Sequence, residues 1–79
     1  SNGENVDSSY IEDKILNLSN NINAVKAYVK DDKIAVNLYV LEDGDYEDII
    51  NSYNNNAPRF EQVEYVNVYK DSIDTRLKQ

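Results

Sequence analysis

Ala24-Val25-Lys26-Ala27-Tyr28-Val29-Lys30-Asp31-Asp32-Lys33-Ile34-Ala35-Val36-Asn37-Leu38-Tyr39-Val40-Leu41 is the stretch that decides the fold. Val25, Ala27 and Val29 alternate with Lys26, Tyr28 and Lys30, the period of two expected of a half-exposed strand. Ile34, Val36, Leu38 and Val40 then share one face of a second strand, with Ala35, Asn37, Tyr39 and Leu41 on the other. Only Asp31-Asp32 separates the runs, so they pair as an antiparallel hairpin, although Asp-Asp is a weaker turn signal than Asn-Gly.

Upstream the period changes. Ile11, Ile15, Leu18 and Ile22 recur at helical spacing, with Leu16 beside them, and predict a helix ended by Asn20, Asn21 and Asn23. Ser9 and Glu12 have the spacing of a capping box at its start. Downstream, Glu42-Asp43-Gly44-Asp45 breaks the second strand. Asp45 is a good N-cap, and Glu47 and Asp48 suit the positive end of a helix dipole. Tyr46, Ile49, Ile50 and Tyr53 form the apolar stripe of a second helix, stopped by Asn54-Asn55-Asn56 and Pro58. Phe60 and Val63 are expected to pack under the connecting loop. A third strand runs from Glu64 to Tyr69, Val66 and Val68 inward and Tyr65, Asn67 and Tyr69 outward. Ser72, Ile73, Arg76 and Leu77 fit one more helical turn in the tail.

Two helices and a sheet, each with one apolar face, pack most simply as two layers. The expected fold is therefore an α+β, αββαβ two-layer sandwich, both helices on one face of a three-stranded sheet. Residues 1–8 read as a polar lead and residues 9–79 as a single domain. The other sheet face would carry Lys26, Tyr28, Lys30, Asn37, Tyr39, Tyr65 and Tyr69.

Composition narrows the function. A chain of 79 residues buries only about 60% of the surface its unfolded form exposes. It has no Cys and no His, which removes the common nucleophile–base pairs and the usual transition-metal ligands. The acidic stretch Asp43-Gly44-Asp45 with Glu47 and Asp48 lacks the alternating spacing of an EF-hand calcium loop. It reads as a turn and an N-cap. The carboxylates cluster at turns and helix starts, where solvation rather than acid–base work is expected. Gly3 and Gly44 are the only glycines, so no phosphate-cradling loop exists. The expectation is no enzyme, no metal and no cofactor. A net charge of −7 repels nucleic acid and anionic membranes, and suits solubility or a basic partner.

Seven tyrosines are the unusual feature. Strands favour Tyr on their own account, but Tyr also buries contact area at interfaces with little loss of entropy. Tyr28, Tyr39, Tyr65 and Tyr69 are the candidate interaction residues, and a protein is the expected partner.

Helix–strand–strand–helix–strand is the order of small ring-building and KH-like modules. A KH domain needs a Gly-x-x-Gly loop on a basic surface, and neither is present. Val63, Val66-Asn67-Val68-Tyr69, Asp71-Ser72-Ile73-Asp74 and Arg76-Leu77 together resemble the end of the YhcN/YlaJ family of sporulation lipoproteins. In that family a Val-rich strand precedes a short Ser/Asp segment and an Arg–hydrophobic pair. The resemblance spans roughly residues 9–78. This chain is richer in Tyr and Asn and lacks the family's more basic second helix. The resemblance implies a non-catalytic, extracytoplasmic domain of a spore-forming Gram-positive bacterium, membrane-anchored only through a lipid. Ser1 to Ser8 would be the tether, or Ser1-Asn2 a cleavage scar. The alternative is a small acidic inhibitor of the immunity, antitoxin or anti-CRISPR kind, binding a basic surface.

Overall fold

The computed structural model describes residues 7–70. Its elements follow in the order α1 (Ser8–Leu16), β1 (Ile22–Lys30), β2 (Lys33–Val40), α2 (Tyr46–Asn55), a short 3-10 turn (Arg59–Glu61) and β3 (Val63–Lys70). The sheet order is β1-β2-β3, with β1 antiparallel and β3 parallel to the central β2. The chain is thus an α+β fold with two helices and a mixed three-stranded sheet, as the alternation and the helical stripes require.

The hairpin pairs Val25 with Leu38, Ala27 with Val36 and Lys30 with Lys33. Asp31 and Asp32 both take positive φ, 53° and 63°. This is the backbone hand that a two-residue turn needs to match the strand twist. Ile34, Val36, Leu38 and Val40 form the floor of the core. Ile11 and Ile15 of α1, and Tyr46, Ile50 and Tyr53 of α2, close over that same floor. Burying each such side chain contributes about 1.5–3 kcal/mol. One face of the sheet therefore carries both helices.

Local chemistry corrects several sequence expectations. The first helix stops at Leu16, and Ile22 opens β1 instead of continuing the helical stripe. Asn17 ends it: its backbone N–H and its Nδ2 both donate to the Asp13 carbonyl, at 3.1 and 2.9 Å. Leu18, expected on the buried stripe, is 47% exposed. The N-cap is Asp7, whose carboxylate accepts from the Tyr10 N–H at 3.2 Å, so Ser8 and Ser9 are already helical. Glu12 is no capping-box partner. Its carboxylate reaches across to accept the Ala27 N–H of β1 at 2.8 Å.

Asp45 does occupy the N-cap position of α2 but makes no side-chain cap bond. Val63 is buried at the start of β3, whereas Phe60 is 43% exposed. Asn54 fixes that start, accepting the Val63 N–H at 2.8 Å and donating to its carbonyl at 3.0 Å. The tail turn expected at Ser72, Ile73, Arg76 and Leu77, and the Asp71–Leu77 part of the family resemblance, lie outside the described residues.

Candidate interaction surface

Strand register decides which side chains share the face away from the helices. β1 sets Ala24 beside Tyr39, Lys26 beside Asn37, and Tyr28 beside Ala35. β3 sets Tyr65 beside Ala35, Asn67 beside Asn37, and Tyr69 beside Tyr39. Three rows result: Tyr28–Ala35–Tyr65, Lys26–Asn37–Asn67 and Ala24–Tyr39–Tyr69. A register shift at Ile34/Ala35 leaves Glu64 as the extra residue of β3 and restores the alternation after it.

All of the candidate residues Tyr28, Tyr39, Tyr65 and Tyr69 come together on this face. They do so in different ways. Tyr39 and Tyr69 stack, ring centroids 5.5 Å apart and planes 21° from parallel. Tyr65 lies under the Lys30 ammonium, 5.3 Å from the ring centroid. Tyr28 donates to Asn37 Oδ1 at 3.4 Å, and Asn67 Nδ2 donates to Asn37 Oδ1 at 3.1 Å and to the Tyr28 hydroxyl at 3.4 Å. Asn37 is thus the hub of a polar network across three strands. Ala35, with no solvent exposure, forms the floor between Tyr28 and Tyr65.

The alternation placed these residues on one face, but it carried no signal for the Asn37 hub or the Tyr39–Tyr69 stack. Both depend on the β2–β3 register.

The tyrosine face is basic. The formal charges that the register places on the tyrosine face are Lys26, Lys30 and Lys33. Asp31 and Asp32 stand at the hairpin end, and Glu42, Asp43, Asp45, Glu47 and Asp48 surround the start of α2. Among the described residues no group of three or more His, Cys, Asp or Glu side chains is placed to hold a metal ion. The acidic loop is fastened by Tyr46, whose hydroxyl donates to the Glu42 carbonyl at 2.6 Å. No helix of the described residues is long and apolar enough to cross a membrane.

A concavity of about 490 Å³ opens between the helices beside Tyr10, Leu18, Tyr53, Pro58 and Glu61. Its buried Tyr53 hydroxyl donates to the Glu61 carbonyl at 2.9 Å. Burial, and then the negative charge of Glu61, push this phenol up to about 12. It stays protonated at neutral pH and acts as a structural donor, joining the end of α2 to the turn before β3.

Neither the models of known protein families, nor curated proteins, nor solved structures give a match to this chain.

Proposed function

We propose that this chain is a non-catalytic protein-interaction domain that meets its partner through the outer sheet face. The observation that carries the reading is the union of Tyr28, Tyr39, Tyr65 and Tyr69 on one side of the sheet, opposite both helices. Flat aromatic side chains held by stacking and by an amide network lose little entropy on binding. Lys26, Lys30 and Lys33 match the face to an acidic protein surface. Nucleic acid, which an aromatic sheet face also suits, is disfavoured by the net charge of −7. The resemblance to the sporulation lipoproteins supports an extracytoplasmic setting with a lipid tether.

The test is site-specific photocrosslinking in the producing cell. A photoreactive side chain at Tyr39 or Tyr69 is expected to give one discrete protein adduct. The same group at Asp48 or Ser52, exposed on α2, is expected to give none. Adducts from the helix positions alone, or adducts to RNA, would reject this reading. The extracytoplasmic setting has its own test: an encoded precursor that lacks a signal peptide and a lipidated cysteine would exclude it.

A further inference from the structure

We infer that the outer edge of β3, which no other strand of the described residues covers, pairs with β3 of a second copy, antiparallel and centred on Asn67, to make one continuous six-stranded sheet. Residues 64–70 read Glu64-Tyr65-Val66-Asn67-Val68-Tyr69-Lys70, the same residue types in either direction except for opposite charges at the ends. An antiparallel pairing about Asn67 therefore sets Tyr65 against the second copy's Tyr69, Val66 against its Val68, and Asn67 against its Asn67. Glu64 of each copy meets Lys70 of the other. Every opposed pair is favourable, on both faces and at both ends. A slip by two residues loses both ion pairs, and a slip by one sends the tyrosines to the wrong face.

The two edges of the sheet differ in the way this requires. Each edge strand has one irregularity, at Asn23 in β1 and at Glu64 at the start of β3, but β1 is protected further: Glu12 of α1 already holds the Ala27 N–H, and Lys26 and Lys30 stand along it. Such devices keep an edge from pairing. Along β3, only Val63 is held by a side chain, that of Asn54. From Glu64 to Lys70 the described backbone pairs with β2 alone. Val68 on the helix side and Tyr69 on the outer side are 46% and 49% exposed. Lys70 is 3.9 Å from Asp43, but both side chains are largely in solvent, so Glu64 of a second copy can replace that partner. Because the remaining edges of the pair are both β1, assembly closes at two copies. The outer face doubles as well, with Tyr39 and Tyr69 of one copy continuing into Tyr65 and Tyr28 of the other. The inference shares Tyr69 with the partner reading above but is told apart from it: a Tyr69 adduct of twice the chain mass reports this pairing, and an adduct of any other mass reports a different protein.

Sedimentation equilibrium of the full chain, from about 1 μM to about 1 mM because an edge-to-edge contact is small, is expected to show a reversible species of twice the 9.1 kDa monomer mass. Glu64→Lys sets lysine against lysine at both ends and is expected to weaken association about tenfold or more. The swap Glu64→Lys/Lys70→Glu is expected to restore it. Circular dichroism checks that each variant is folded. As a second measurement, Asn67→Cys places one thiol of each copy across the two-fold, where antiparallel partners lie about 4.5–5.5 Å apart. It is expected to oxidise quickly to a covalent dimer, and Lys26→Cys is not. A monomer at every concentration overturns the inference. So does a dimer indifferent to Glu64→Lys, or cross-linking of Lys26→Cys as fast as that of Asn67→Cys.

Discussion

Ile15 has no solvent exposure and lies in one cluster with Leu38 and Ile50. An aspartate there would bury a charge with no partner. Small domains are stable by roughly 0.1 kcal/mol per residue, so Ile15→Asp is expected to abolish the cooperative transition in a thermal melt. Ile15→Ala leaves a cavity instead and is expected to cost about 2–5 kcal/mol. Lys30→Ala removes one solvent-exposed cation from the Tyr65 ring and is expected to cost less than about 1 kcal/mol. Tyr53 gives a pH-dependent counterpart. Its phenol is raised from 10.0 to about 12 by burial and by Glu61. Between those values the folded state holds a proton that the unfolded state has released. Its stabilising contribution is therefore complete below pH 10 and is lost as the pH rises through about 12. Absorbance at 295 nm is expected to show one tyrosine titrating late, and Tyr53→Phe to remove that component. A Tyr53→Phe titration identical to wild type apart from amplitude would contradict this assignment.

At the scale of elements, the hairpin carries the clearest prediction. Asp31 and Asp32 sit at φ values that glycine and asparagine adopt more easily than aspartate. Asp31→Asn with Asp32→Gly is expected to stabilise the domain by about 1 kcal/mol, read as a higher urea midpoint at an unchanged slope. This hairpin was legible in the sequence because period-two alternation is written by the strands themselves. The second helix was legible for the same kind of reason, its stripe of Tyr46, Ile50 and Tyr53 being buried. The end of α1 was not. Leu18 and Ile22 continue the helical spacing, and only the Asn17 cap and the reversal into β1 break it. Glu12 misled for another reason: capping-box spacing is local, whereas its partner Ala27 is fifteen residues away. The tyrosine face shows the same division. Which residues share it follows from alternation, but which of them touch follows from the Glu64 irregularity, and nothing local announces that.

At the scale of the whole molecule, the lysines of the tyrosine face and the acids around α2 respond to salt with opposite sign. The acids around the start of α2 repel one another in a chain of net charge −7. Screening relieves that repulsion, so the melting temperature is expected to rise as salt increases from about 10 mM to about 300 mM, over which the Debye length falls from about 30 Å to below 8 Å. On the reading proposed above, contact of Lys26, Lys30 and Lys33 with an acidic partner would be screened by the same ions, so the yield of the Tyr39 and Tyr69 photoadducts is expected to fall over that range. Lys26→Glu separates the partner readings. It reverses the sign of one lysine on the tyrosine face. If the partner is acidic, the adduct is lost while the melting temperature changes little. If the chain were instead an inhibitor presenting carboxylates to a basic surface, the adduct would form from α2 and not from Tyr39 or Tyr69, Lys26→Glu would leave it intact, and Glu47→Lys with Asp48→Lys would abolish it. Measuring both variants for adduct yield and melting temperature at two salt concentrations therefore decides which face of the molecule the partner reads.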